Sequence, residues 1–153
     1  MQTVQVEAFQ IIGISVRTTN ENGQAASDIP LLWEKFMTEG ISEKIPNKIS
    51  DEVFSIYTNY ESDHTKPYDT ILGCKVSSFE NIPEGMIAQS FEGGTFAKFL
   101  STGNANKGAV YQTWVAIWNT DLDRLYTADF EVYGIKATNL PNAEVDIYVA
   151  IGQ

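Results

Sequence analysis

The run Asp129-Phe130-Glu131-Val132-Tyr133, near the end of a 153-residue chain, decides how the rest is read. Phe, Val and Tyr suit a pleated, half-buried surface, so the run is predicted to be a strand. A carboxylate stands in its middle among aromatic residues, and a second apolar strand, Val145 to Ile151, follows. Such a carboxylate is either a solvated edge residue or the polar contact of an apolar pocket. An offset of 76 residues carries Phe54-Ser55-Ile56-Tyr57 onto Phe130-Glu131-Val132-Tyr133, so Ser55 stands where the later copy has Glu131.

The rest of the chain supports a duplication. Val4 to Thr19 reads as extended, with Gly13 a candidate bulge. Asp28 is expected to cap a helix with Pro30 in its first turn. Leu32, Trp33, Phe36 and Met37 recur at helical spacing, and Gly40 ends the pattern. Val53–Tyr60 and Tyr68–Val76 form a predicted hairpin. The series then restarts: Met86–Phe91 and Thr95–Ser101 are extended, and Asn104 or Asn106 is placed to cap a helix. That helix carries Val110, Tyr111, Trp114, Val115, Ile117 and Trp118. The last hairpin turns near Leu140-Pro141-Asn142. An 82-residue offset carries Phe9 to Phe91, Ile14 to Phe96 and Phe36 to Trp118, with Trp33 landing one residue past Trp114.

The expected fold is α+β: two β-α-β-β units, 1–79 and 84–153, forming side-by-side antiparallel sheets with one helix each. Neither unit buries enough apolar area to stand comfortably alone, so both are expected in one domain spanning 1–153. The seam between them is the natural place for a central ligand cleft.

Composition narrows the function. A net charge of −10, with basic residues scattered along the chain, argues against nucleic-acid binding. One cysteine, Cys74, and one histidine, His64, leave no disulfide and no Cys- or His-based metal cluster within the chain, and His64, in a polar loop with Pro67, is not read as the base of a Ser-His-Asp triad. No metal or cofactor is expected. Asp121-Leu122-Asp123 lacks a calcium-loop pattern, and no glycine run has the form of a phosphate cradle. No signal peptide and no apolar run of roughly 18 residues is present, which predicts a cytoplasmic chain that does not enter the membrane. Cys74 reads as a small buried residue and His64 as decoration of a polar surface loop.

If Glu131 lines the cleft, strand alternation puts Tyr133 on its side, and Tyr57 beside Ser55. Trp114 or Trp118 would roof the site. Trp33, Tyr111 and Tyr148 complete the candidate ligand contacts, although aromatic residues at helical spacing are commonly core.

Taken together, Gly13-Ile14-Ser15-Val16-Arg17-Thr18-Thr19, Ile29-Pro30-Leu31-Leu32-Trp33, Tyr57-Thr58-Asn59-Tyr60-Glu61-Ser62, Gly73-Cys74-Lys75-Val76, Pro83-Glu84-Gly85-Met86, Trp114, Trp118, Asp129-Phe130-Glu131-Val132-Tyr133 and Asp146-Ile147-Tyr148-Val149 carry a resemblance. The chain is similar to the GyrI-like effector-binding domains of AraC- and MerR-type regulators, and within them to the stand-alone YdeE-like group and the integron-cassette effector-binding proteins. The resemblance implies a duplicated β-α-β-β fold with a central cleft. It further implies uptake of hydrophobic, often cationic drugs or effectors in an aromatic pocket, with a late-strand glutamate, here Glu131, as counter-charge. No DNA-binding segment accompanies the motifs, so the chain is not expected to regulate transcription alone.

Three functions follow. The first is a stand-alone small-molecule binding protein. The second, allowed by the resemblance, is a hydrolase of strained cyclopropane-bearing toxins, with Glu131 as base or charge stabiliser and Tyr57 or Tyr133 assisting. The third is a regulator or inhibitor that docks on a partner protein.

Overall fold

The computed structural model describes residues 2–104, 108–134 and 143–152. Eight antiparallel strands form one sheet: β1 Gln2–Val6, β2 Phe9–Thr18, β3 Val53–Thr58, β4 Tyr68–Val76, β5 Ile87–Phe91, β6 Gly94–Gly103, β7 Ala128–Tyr133 and β8 Ala143–Ala150. Their order is β1-β6-β8-β7-β3-β4-β2-β5. The helices are α1 Gln24–Thr38, the single turn α2 Ile41–Lys44, and α3 Ala109–Trp118. The α+β architecture expected from the sequence is thus found, with the two sets of strands joined edge to edge through β3 and β7.

The order reads the same from either end once each half's first strand is exchanged: β1 pairs with β6 of the second half, and β5 with β2 of the first. At the centre, Ser55 faces Glu131, with Val53 opposite Tyr133 and Tyr57 opposite Asp129. The 76-residue offset maps this ladder onto itself, so an approximate twofold axis passes through the Ser55–Glu131 pair. The row continues outward through Leu72 and Ile14 on one side, and Ile147 and Phe99 on the other. The offset is therefore 75 between β4 and β8 and 85 between β2 and β6, because the loops differ in length. Phe9 is the direct ladder partner of Phe91, with rings stacked at 5.2 Å, rather than its symmetric counterpart.

The connections force the sheet to curl. β1 and β2 are joined only by Glu7 and Ala8, a reach of roughly 11 Å from Val6 to Phe9, yet they lie six strand spacings apart, roughly 29 Å in a flat sheet. The sheet instead wraps its aromatic face, so that Phe9 on β2 and Phe96 on β6 both meet Phe130 on β7 at 5.4 Å. Phe54, Ile56, Ile71 and Ile11 fill the space between them. On the other face, α1 packs Leu32 and Phe36 against Ile12, Ile14 and Leu72. There α3 packs Trp114 and Ile117 against Val145, Ile147 and Val149. Two helices on one face leave the β3/β7 seam uncovered between them.

Several local expectations change. Gly13 is no bulge: the β2–β4 register runs unbroken through Gly13 opposite Gly73, where a Cβ on either would strike the backbone carbonyl across the ladder. Helix α1 begins four residues before Asp28, after Gly23 in a left-handed backbone. Asp28 sits inside it, accepting hydrogen bonds from Thr18 Oγ1 (2.9 Å) and Gln24 Nε2 (3.0 Å). Gly108, not Asn104, precedes α3; Asn106 and the turn at Leu140-Pro141-Asn142 lie outside the described residues.

Gly93, in the β5–β6 link, passes directly over the β1–β2 link, and a Cβ there would overlap the Val6 carbonyl oxygen and approach Glu7 and Ala8. All of these are backbone atoms, which cannot rotate away. Gly93→Ala is expected to destabilise the fold by about 2–3 kcal/mol in urea titrations, near the top of the usual range for point mutants.

Candidate functional site

Strand alternation sends Ser55 and Tyr57 from β3, and Asp129, Glu131 and Tyr133 from β7, to the helix-bearing face. Between α1 and α3, Tyr57, Glu131 and Tyr133 floor a cavity of about 420 Å³, within the range of small-molecule sites. Its walls are related by the same symmetry as the sheet. An 81-residue offset carries Ile29, Pro30 and Trp33 of α1 to Val110, Tyr111 and Trp114 of α3, and all six line the cavity. Trp33 and Trp114 are thus direct counterparts, while the buried counterpart of Phe36 is Ile117, which leaves Trp118 free to face the cleft.

Glu131 lies at the bottom, 2% exposed. Its Oε2 accepts from Tyr57 Oη (2.8 Å) and Trp114 Nε1 (2.6 Å), and its Oε1 from Tyr133 Oη (2.5 Å). Burial raises the carboxyl above its ordinary range; the three hydrogen bonds pull it back without cancelling the shift. Burial, and after it the charge of Glu131, pushes both phenols well above their usual value, so Tyr57 and Tyr133 remain donors. Tyr68 is pushed up to about 12 for the same reasons. Ring contacts hold the donors in place: Tyr57 meets Trp114 edge to face at 5.5 Å, and Tyr133 meets Trp33 at 4.9 Å.

Of the residues singled out in the sequence, Glu131, Tyr133, Tyr57, Trp114, Trp118, Tyr111 and Trp33 meet at this cleft, Tyr111 at its exposed rim. Tyr148 does not. It projects from β8 to the opposite face, stacked on Phe130 at 4.7 Å, because residue 148 is ladder partner to Phe130 and shares its side.

His64 is no mere surface decoration. It lines the cleft, stacks on Trp118 at 5.7 Å, and its carbonyl accepts from Asn20 Nδ2 at 2.8 Å. Burial, and then the Arg124 guanidinium, lower its basicity. Sequence reasoning also missed a second buried carboxylate. Asp129, wholly buried, accepts from Tyr60 Oη (2.5 Å), Arg124 Nη2 (2.7 Å) and the Ala150 amide (2.9 Å). Its place on the same strand face as Glu131, two residues away, was the available signal.

Among the described residues no His/Cys/Asp/Glu cluster has the form of a metal site, and no helix is long and apolar enough to cross a membrane. Cys74 is buried, its Sγ 3.8 Å from Ser42 Oγ.

The chain matches a known family over nearly its whole length. The family model described as integron-associated effector binding protein matches residues 2–151, and the chain belongs to that family. It is similar to a solved integron cassette protein from the mobile metagenome of Vibrio cholerae, at 30% identity and a TM-score of 0.77, covering 99% of this chain and 95% of that one. It is 29% identical over 143 residues to YobU of Bacillus subtilis (strain 168), named as a candidate transcriptional regulator, covering 91% of this chain and 89% of YobU. The fold is also that of SAV2435, solved bound to tetraphenylphosphonium, with 15% identity, a TM-score of 0.81, and coverage of 99% and 93%. The resemblance read from the sequence is borne out at the level of an effector-binding family.

The raised Glu131 carboxyl has a sign that can be measured. The folded chain holds this proton more tightly than the unfolded chain, so the group favours folding most below its unfolded pKa. That contribution falls as pH rises through the interval up to the folded value. Urea titrations of wild type and Glu131→Gln from pH 4 to 8 are expected to show the variant gaining stability relative to wild type as pH increases.

Proposed function

We propose that the chain takes up a hydrophobic monocation in the cleft between α1 and α3, with Glu131 as its counter-charge. The carrying observation is the Glu131 site: a buried carboxylate whose hydrogen-bond partners are two phenols and an indole. Neutral donors hold the charge in position without cancelling it. A buried carboxylate is costly until an opposite charge arrives, so a cation relieves an existing penalty. Aromatic faces strengthen the match, each good cation–π contact adding roughly 0.5–2 kcal/mol.

The tetraphenylphosphonium bound by SAV2435, which shares this fold, is a ligand of the proposed class and supports the reading. The overall negative charge favours the approach of cations at low salt. Membership of the effector-binding family agrees with a sensing or sequestering role.

The test is a thermal-shift and calorimetric comparison of tetraphenylphosphonium with its neutral isostere tetraphenylmethane carrying a solubilising group, on wild type and Glu131→Gln. At 100 times its dissociation constant the cation should stabilise wild type by about 2.7 kcal/mol. In Glu131→Gln, affinity should fall at least about ten-fold, or roughly 1.4 kcal/mol. Affinity for the cation should also weaken as pH is lowered through the raised Glu131 value, because binding then has to expel a proton. A cation bound equally well by both proteins would remove Glu131 from the site. Recovery of the ligand at unchanged mass distinguishes binding from hydrolysis.

A further inference from the structure

The cleft contains a second polar feature that a plain monocation would leave unused. Arg124 lines the cavity, although its side chain is only 7% exposed. One nitrogen, Nη2, donates to Asp129 Oδ2 at 2.7 Å. The other two, Nε and Nη1, are buried and have no acceptor among the described residues. Asp129 has little left to offer them: Oδ2 also accepts from Tyr60, and Oδ1 takes the Ala150 amide.

The position is built rather than incidental. Tyr126 lays its ring 4.4 Å from Arg124 Cζ and has a left-handed backbone (φ 55°) that an aromatic residue seldom adopts. The Trp114 ring centre stands 5.9 Å from the same Cζ. Native structures leave few buried donors without partners, and each such donor calls for an explanation. Here two belong to a single charged group beside a cavity.

Charge selects what fits. Arg124 and Asp129 neutralise one another, so the cleft carries the single negative charge of Glu131. A ligand carboxylate at Arg124 would add a second negative charge close to Glu131, whereas a neutral carbonyl oxygen adds none. Distance follows from Trp114, whose Nε1 donates to Glu131 at 2.6 Å while its ring lies against Arg124. The two polar points are therefore bridged by a single indole.

We propose that Arg124 forms an acceptor subsite, so that the preferred ligand is a hydrophobic monocation carrying a neutral hydrogen-bond acceptor, such as a carbonyl, one aromatic ring away from its positive centre. This rests on the cation-binding reading above and names the ligand class more narrowly.

The experiment compares three probes by titration calorimetry: (4-acetylphenyl)triphenylphosphonium, its 4-isopropenyl counterpart in which C=CH2 replaces C=O, and the 4-carboxyphenyl analogue. Wild type is expected to bind the ketone at least about ten-fold more tightly than the isopropenyl compound, since hydrogen bonds to a charged donor are among the stronger kind. The carboxylate is expected to bind more weakly than the ketone. Arg124→Lys keeps a positive charge for Asp129 but removes the guanidinium fork. In that variant the ratio of ketone to isopropenyl affinity should fall below two-fold.

Equal binding of ketone and isopropenyl probes by wild type would mean that only water satisfies these donors, and would overturn the subsite while leaving the cation site standing. Survival of the preference in Arg124→Lys, or a preference for the carboxylate, would also overturn it. Failure of all three probes would bring down the cation-binding reading and the subsite together. If Arg124→Lys does not fold, the wild-type comparison of ketone and isopropenyl probes decides by itself.

Discussion

A carboxylate removed from water at the centre of a sheet is the constraint around which this molecule is arranged. Glu131 stands on the axis relating the two halves of the chain, in register with Ser55. Its donors come from three separate elements: Tyr57 on β3, Trp114 on α3 and Tyr133 on β7 itself. Burying the charge is unfavourable, and the donors offset part of that cost while fixing the position of the oxygens. A group this expensive, held this firmly at the bottom of a cavity, is the feature on which the proposed cation binding rests.

The duplicated scaffold makes such a position possible. Two helices packed on one sheet face, one per half, leave a gap over the seam between β3 and β7. The gap is walled by matching residues, Trp33 with Trp114 and Ile29 with Val110. Symmetry supplies a broad apolar cleft, and departures from it supply polarity: Glu131 against Ser55 on the axis. Strand exchange between the halves, with β1 on β6 and β5 on β2, ties them together so that the cleft does not depend on helix contacts alone.

Much of this was legible from alternation and repetition. Phe130, Val132 and Tyr133 announced a strand, Ser55 and Glu131 announced the asymmetry, and period two put Tyr57, Tyr133 and Glu131 on matching sides. Helical spacing identified Trp33, Trp114 and Trp118, although loop-length differences displaced their pairing by a residue. Tyr148 was misplaced because the register of β8 against β7 depends on pairing between strands, and a strand read alone does not say which of its faces meets the cleft. Asp28 resembled a cap because Asp is favoured at that position and Pro30 suits a first turn, yet the helix starts earlier and the Asp28 carboxylate accepts from Thr18 instead.

The sequence by itself determined the main strands, the two long helices, the duplication and the family, because each is written in local periodicity or in ordered motifs. Only the tertiary structure decided which polar groups share the cleft. Asp129 gathers Arg124 from five residues away and Tyr60 across a chain separation of 69 residues, and His64 reaches Trp118 and Tyr126 from a distant loop. No local pattern encodes those encounters; they arise because the sheet curls about its aromatic face and its strands exchange partners, bringing isolated loop residues to the same opening.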